Sequence, residues 1–138
     1  MKDEYVTFDT AKLLKEKGFD WFTFGYYTMD DYDSPPYFGI ENLCADNWNG
    51  EDDEVNDFWF SAPTQQMACR WLREEHNILV CVLPCEVGAG VMDYTYCIYR
   101  IHSDNYYFEP LAQGRIEEAM DYENTLEAGL EYVLKNLI

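Results

Sequence analysis

The side chains with the clearest potential for chemistry are the carboxylates in the first half of the chain. Residues 18–69 contain eleven Asp and Glu side chains and neither a Lys nor an Arg. Carboxylates can coordinate divalent cations, transfer protons or attract a positively charged molecule. Because no basic side chain stands among them, they present a field of one sign to whatever approaches. The span therefore predicts a partner with a positive surface.

Two short runs of carboxylates, with aromatic residues beside them, form the predicted partner-binding set. Carboxylates steer and pair with Lys or Arg across an interface, and Trp or Tyr side chains anchor it. The set consists of Asp30, Asp31, Asp33, Trp48, Glu51, Asp52, Asp53, Glu54 and Asp57. Trp59, Tyr32 and Tyr37 are further candidate anchors. The alternative is a solvated loop whose aromatic side chains turn into the core.

Cysteine and acidic side chains are the possible metal ligands of this sequence. Cys81, Cys85, Cys97 and His102 lack the close C-x2-C or H-x3-H pairs that zinc sites usually have, and Cys81 lies in an apolar strand that suits a buried thiol. Residues 46–51 place Trp and Gly where a calcium loop needs oxygen ligands. Loose binding of a divalent cation by residues 51–54 stays open. No metal site and no cofactor is predicted.

The sequence offers little for nucleophilic catalysis. A Ser or Cys nucleophile needs a base in reach, and the chain has two histidines, His76 at the end of a predicted helix and His102 at the end of a predicted strand. No Gly-rich loop precedes a helix in the way a phosphate cradle requires. We therefore expect no enzymatic activity and name no catalytic residue.

The net charge of −18 bears on the class of partner. A small domain needs a charge of only about 2 to 8 for solubility, and each contact with a nucleic-acid phosphate would have to overcome this repulsion. A compact domain of this length is about 37 Å across, which gives about one charge per 2 Å. Duplex DNA carries one per about 1.7 Å. Direct nucleic-acid binding is disfavoured, and mimicry of DNA becomes conceivable.

Helical periodicity and capping residues predict three helices, over residues 8–17, 63–75 and 121–137. Thr7 or Asp9 can cap the first and Asp121 the third, because a short side-chain oxygen accepts a hydrogen bond from an N–H of the first turn. Gly129, inside the third helix, predicts close packing against a neighbour.

Aromatic and β-branched residues predict four strands, over residues 19–29, 37–40, 78–83 and 92–101, and residues 106–109 suggest a further short strand. If residues 88–90 form the turn, Cys81 lies opposite Cys97. The predicted fold is α+β, with about three helices packed on a small antiparallel sheet in the approximate order α-β-β-α-β-β-α.

Length and composition predict one globular domain over residues 1–138, with a long acidic loop over about 41–57. The longest nearly apolar run, residues 78–83, is too short to span a membrane, so no membrane partner is predicted. Five cysteines, an odd number, favour reduced thiols and a cytoplasmic location.

Three segments resemble a widespread group of small, uncharacterised bacterial prophage and mobile-element proteins. They are FDTAKLLKEKGF at residues 8–19, the segments APTQQ, WLRE and HNI at residues 62–66, 71–74 and 76–78, and YENTLEAGL at residues 122–130. The group has no assigned chemistry, so the resemblance implies no catalytic residue. It implies a cytoplasmic accessory protein of a phage or mobile element.

These observations lead to one leading hypothesis and two alternatives. The leading hypothesis is a non-enzymatic acidic interaction module, which inhibits a basic nucleic-acid-binding protein such as a nuclease by mimicking DNA. The first alternative is a homo-oligomeric scaffold or accessory protein held together by aromatic contacts. The second is a protein that binds divalent metal ions. The oligomeric state and the identity of the partner stay open.

Overall fold

A computed structural model describes residues 4–50, 57–88, 90–114 and 121–138. It contains three helices and six strands, and their order is α-β-β-β-α-β-β-β-α. The elements are α1 (Phe8–Glu16), β1 (Gly25–Thr28), β2 (Tyr37–Ile40), β3 (Trp59–Ala62), α2 (Gln65–His76), β4 (Ile78–Gly88), β5 (Val91–His102), β6 (Tyr107–Gly114) and α3 (Tyr122–Asn136). The predicted α+β class and its three helices are confirmed.

The strands form two antiparallel sheets of three strands each, in the orders β2-β1-β3 and β4-β5-β6. The predicted order of elements matches only roughly. It lacks β3, and it leaves out β6, which was predicted only as a possible short strand over residues 106–109. The prediction of one small sheet is wrong in the number of sheets. The chain divides into two compact units, residues 1–67 (unit 1) and 68–138 (unit 2), and each sheet belongs to one of them.

The α1 helix of unit 1 forms where its caps predict it. The Thr7 side chain accepts a hydrogen bond from the N–H of Thr10, and Gly18 follows the helix with a φ of 86°, a conformation that glycine adopts without strain. Ala11 and Leu14 are buried. The helix lies against β3, where the rings of Phe8 and Phe60 meet edge to face at 5.2 Å.

The sheet of unit 1 has β1 at its centre, and aromatic side chains cover both of its faces. On the face toward α1, Tyr27 lies opposite Phe38 of β2 and Phe60 of β3. On the other face, Tyr26 and Trp59 have their ring centroids 5.1 Å apart. The sequence predicted a strand over residues 19–29, but the ladder forms only over Gly25–Thr28.

Unit 2 is built on the long hairpin of β4 and β5. Cys81 pairs with Cys97 across this hairpin, as predicted, but Gly88 belongs to β4 and not to the predicted turn over residues 88–90, and the register shifts between Glu86 and Gly88. The α3 helix packs on both strands. A Cβ added at Gly129 would lie 3.0 Å from Val80 Cγ1 and 3.1 Å from Tyr96 Cβ, which confirms the predicted close packing. The side chain of Asp121 caps α3 by accepting from the N–H of Asn124 over 2.7 Å.

Helix length and hydropathy also bear on membrane insertion. Within the described ranges, no helix is both long enough and apolar enough to cross a bilayer.

Candidate partner interface

Three of the predicted partner-binding carboxylates lie in the loop between β1 and β2. Asp30, Asp31 and Asp33 are all exposed. The Oδ1 atom of Asp31 accepts hydrogen bonds from the hydroxyl of Ser34 and from the N–H of Asp33, each over 2.9 Å. The bond from Ser34, followed by that from Asp33, lowers the pKa of Asp31. Asp31 therefore carries its charge at neutral pH while it orders the loop.

Asp57, just before β3, is linked to this same loop. The Tyr32 hydroxyl donates a hydrogen bond to Asp57 Oδ2 over 3.1 Å, and the Tyr32 ring packs on Phe58 with a centroid distance of 4.8 Å. The hydrogen bond and the charge of Asp57 raise the pKa of Tyr32. The structure thus brings Asp57 to the loop that holds Asp30, Asp31 and Asp33, although Asp57 lies 24 positions after Asp33 in sequence.

One basic side chain reaches this region from α1. Lys15 Nζ donates to the carbonyl oxygen of Trp59 over 2.9 Å and lies 4.7 Å from the centroid of the Phe60 ring. Burial lowers the pKa of Lys15, and the charge of Asp57 opposes that shift. Lys15 is therefore engaged with β3, and it offsets part of the charge of Asp57. The carboxylates at 30, 31 and 33 have no salt bridge among the described residues.

Trp48, the predicted aromatic anchor, is engaged in the packing of unit 1. Its Nε1–H donates to the carbonyl oxygen of Thr23 over 2.9 Å. Its ring stacks on Trp59 at a centroid distance of 5.7 Å and contacts Tyr26 at 4.7 Å. The residue is half-buried. Trp48 covers one face of the sheet, and its role as an anchor for a partner stays a prediction.

Residues 46–50, which carry Trp48, are fastened to the sheet by amide groups. Asn49 donates from Nδ2 to the carbonyl oxygen of Phe19 over 3.0 Å, and its Oδ1 accepts from the N–H of Ser61 over 2.9 Å. The four predicted carboxylates Glu51, Asp52, Asp53 and Glu54 lie outside the described residues, as does the corresponding part of the predicted loop over 41–57. Their place in an interface stays a prediction.

Strand β2 exposes an apolar surface, of which the sequence singled out only Tyr37 as a candidate anchor. The exposed fractions are 55% for Tyr37, 41% for Phe38 and 45% for Ile40, and Leu43 just beyond the strand is 93% exposed. The strand lies at the edge of its sheet, since β1 is its neighbour on one side. The sequence predicted the strand itself. The edge position of β2 could not be predicted, because it depends on the pairing of β3 with the other side of β1, and β3 was not predicted.

The outer backbone groups of β2 follow from its pairing with β1. In an antiparallel pair, the residues that bond to the neighbouring strand alternate with residues whose N–H and C=O point away. The N–H of Glu41 donates to the carbonyl oxygen of Phe24 over 2.9 Å, so residues 37, 39 and 41 bond toward β1. The backbone groups of Phe38 and Ile40 point outward. No hydrogen bond joins them to any other described residue.

The polar and thiol groups of unit 2 form smaller clusters. Glu109 Oε2 lies 2.9 Å from His102 Nε2 and 3.9 Å from Arg100 Nε, and all three side chains are partly exposed. Burial raises the pKa of Cys69 to about 11, so that thiol is a poor nucleophile at neutral pH. In the described parts of the chain, no group of three or more His, Cys, Asp or Glu side chains is placed to hold a metal ion.

An open depression of about 290 Å³ lies beside the irregularity in the pairing of β5 with β6. It is lined by Cys97, Tyr99, Pro110, Leu111, Ala112 and Gln113. The lining residues include neither a carboxylate nor a histidine. Its titratable side chains are the Cys97 thiol and the Tyr99 hydroxyl, and the nearby Cys97, followed by burial, raises the pKa of Tyr99.

Comparison with protein-family models, with curated proteins and with solved structures finds no match to this chain. The resemblance of residues 8–19, 62–78 and 122–130 to prophage proteins stays a prediction.

Proposed function

We propose that this protein is a non-enzymatic acidic interaction module that binds a basic protein surface through unit 1. The observation that carries the proposal is the grouping of Asp30, Asp31 and Asp33 as exposed carboxylates in one loop, with Asp57 linked to that loop through Tyr32. Residues 18–69 supply no Lys or Arg to neutralise them. A surface of one sign attracts an oppositely charged partner and accelerates its association.

The hydrogen bonds of the loop support this role. A flexible carboxylate loses conformational freedom when it binds, and that loss reduces affinity. Asp31 is already held by Ser34 and by the backbone of Asp33, and Tyr32 is held by Asp57 and Phe58. Asp31 and Tyr32 are thus partly ordered before a partner binds. Binding therefore costs the loop less conformational freedom.

We propose further that the partner is a nucleic-acid-binding protein, such as a nuclease, and that the carboxylates take the place of phosphates. A groove that binds nucleic acid is basic, so it attracts a protein with a net charge of −18. In this narrower form the protein is a cytoplasmic accessory protein of a prophage, and it competes with DNA for its target.

The test is affinity capture from a bacterial lysate, with the protein immobilised and washed at about 50 mM and about 500 mM NaCl. A triple variant, Asp30→Asn with Asp31→Asn and Asp33→Asn, removes the charge of the loop. The matched control neutralises three exposed carboxylates of unit 2, with Glu75→Gln, Glu86→Gln and Asp104→Asn.

We expect the wild type and the control to retain one or more basic proteins at low salt and to release them at high salt. The loop variant should retain much less. Added duplex DNA should displace the captured protein if the partner is a nucleic-acid-binding protein and the carboxylates take the place of phosphates. Equal losses in both variants would show that only the total charge matters and would overturn the assignment to the loop, and capture that is indifferent to salt would overturn the proposal.

A homo-oligomer is the second candidate, favoured by the exposed apolar side chains of β2 and by Leu43. Apolar patches of this kind often mark contacts between proteins. Size-exclusion chromatography with light scattering decides the question, because a stable oligomer that persists at high salt would favour apolar self-association over binding by charge.

A further inference from the structure

The open edge of β2 offers a backbone template beside the acidic loop. We propose that β2 binds an extended basic segment of the partner as an added strand, so that the three-stranded sheet of unit 1 gains a fourth strand. The positive charge of that segment rests on the proposed function. The mode of binding rests on the edge position of β2 and its outward backbone groups.

The backbone supplies the first part of the recognition. The N–H and C=O groups of Phe38 and Ile40 point away from β1, as the bond from Glu41 to Phe24 establishes. An exposed strand edge of this kind pairs with an extended peptide, whose main chain completes the ladder. Pro36 has no N–H to offer, so the pairing begins at Phe38.

Side chains supply the second part. Phe38 and Ile40 lie on the same face of the sheet, and each is between two fifths and half exposed. Tyr37 stands on the opposite face and is also exposed. In an added strand, residues opposite or diagonal to these side chains would bury them. The centre of the bound segment is therefore expected to be apolar or aromatic on the face that meets Phe38 and Ile40.

Charge selects the occupant. Asp30, Asp31 and Asp33 precede the strand and Glu41 follows it, so carboxylates flank both ends of an edge about 13 Å long. A segment with Lys or Arg at both ends of a short apolar stretch matches this arrangement. A second copy of this chain does not, because each copy carries a net charge of −18. Basic arms are typical of proteins that bind nucleic acid.

Synthetic peptides test the proposal directly. The probe is an extended peptide of about ten residues, with alternating Val and Thr at its centre and Lys or Arg at its ends. Two derivatives carry N-methyl groups on alternate central residues, one on the odd positions and the other on the even positions. The side chains and charges of the three peptides are the same, but each derivative has one blocked edge.

Binding is measured by fluorescence anisotropy at about 50 mM NaCl. Strand addition uses one edge of the peptide, so one derivative should lose about tenfold or more in affinity. The other should bind about as well as the unmethylated probe. Equal binding of all three would mean that charge alone holds the peptide, which overturns strand addition and leaves the proposed function standing. Failure of the unmethylated probe to bind also overturns it.

A pair of chain variants gives the complementary test. Ile40→Pro removes the outward N–H of residue 40, and Ile40→Ala shortens the same side chain but keeps that N–H. We expect the proline variant to bind the probe markedly more weakly than the alanine variant, and both should keep the circular dichroism spectrum of the wild type. Equal affinities in two folded variants would overturn the proposal. If the proline variant does not fold, the methylated peptides still test whether the probe binds as an added strand.

Discussion

At the scale of single residues, Asp31 shows how a side chain can order its own loop and remain charged for a partner. We predict that Ser34→Ala raises the pKa of Asp31 toward its ordinary value of about 3.9, because the largest cause of the lowering is the Ser34 hydroxyl. The bond from the N–H of Asp33 should keep part of the shift. Carboxyl carbon chemical shifts followed through a pH titration measure it.

The sign of the pH dependence follows from the direction of that shift. A folded-state pKa below the unfolded value stabilises the protein above the unfolded pKa, and the stabilisation is lost as pH falls through the folded pKa. The loop around Asp31 should therefore loosen only in acid, well below neutral pH. A pKa of Asp31 that does not move in the Ser34→Ala variant would contradict the assigned hydrogen bond.

Trp48 allows a structural role to be separated from a binding role. Trp48→Ala should lower the free energy of unfolding by about 3 kcal/mol, near the lower end of the range for removing a Trp, because the side chain is half-buried. Trp48→Phe keeps an aromatic ring against Trp59 but loses the Nε1 bond to Thr23, worth about 1 kcal/mol. Chemical denaturation measures both values.

Capture of the basic partner by the Trp48→Phe variant tests whether Trp48 has a role in binding as well as in packing. If Trp48 is also an anchor, this folded variant binds the partner more weakly than the wild type at the same salt concentration. Unchanged binding would confine Trp48 to the packing of unit 1 and would remove it from the predicted set.

At the scale of elements, the close approach of three segments explains the glycine that begins β1. A Cβ at Gly25 would lie 2.5 Å from the carbonyl oxygen of Ala62 and 2.8 Å from the Tyr5 ring. Gly25→Ala should therefore lower the free energy of unfolding by about 2 kcal/mol, as over-packed sites do. Gly88→Ala is the control, since nothing lies within 4 Å of its added Cβ. Equal denaturation midpoints for both variants would contradict this close contact.

The elements also show which parts of the fold the sequence could predict. Helix ends depend on local chemistry, so Thr7 and Asp121 could be recognised as caps from neighbouring residues alone. The pairing of Cys81 with Cys97 was predicted from a turn over residues 88–90, and it holds because the register shift between Glu86 and Gly88 offsets a shorter connection. By contrast, β3 was missed although β2, which is equally short, was predicted. Strand β3 pairs with β1 across thirty residues of chain, and a pairing over that distance leaves no signal among neighbouring residues.

The acidic loop and the edge of β2, which together form the candidate site, differ in the same way in how far the sequence predicts them. The carboxylates at 30, 31 and 33 were predictable because charge is a property of composition. The edge of β2 was not, because an edge exists only once the neighbours on both sides of β1 are known. The link from Tyr32 to Asp57 likewise joins residues 25 positions apart. Sequence therefore predicts the charge of the surface better than its shape.

At the scale of the whole molecule, a charge of −18 on 138 residues makes repulsion a general cost of folding. Salt screens this repulsion, and the Debye length falls from about 14 Å to about 4 Å between about 50 and 500 mM. We predict that the free energy of unfolding rises over this range of NaCl concentration. Denaturant titrations at each concentration measure it, and KCl should give the same curve because screening does not depend on the identity of the cation.

Divalent cations separate this general screening from a bound ion. MgCl2 and CaCl2, compared with NaCl at equal ionic strength, should give a similar rise if the carboxylates act as a diffuse field. An ion that binds the folded state adds a stabilisation that grows with the logarithm of its concentration. A continuing increase in Tm with Ca²⁺ alone would therefore favour the divalent-metal hypothesis over the interaction module. A charge reversal such as Asp53→Lys, outside the described residues, would then test whether residues 51–54 hold the ion.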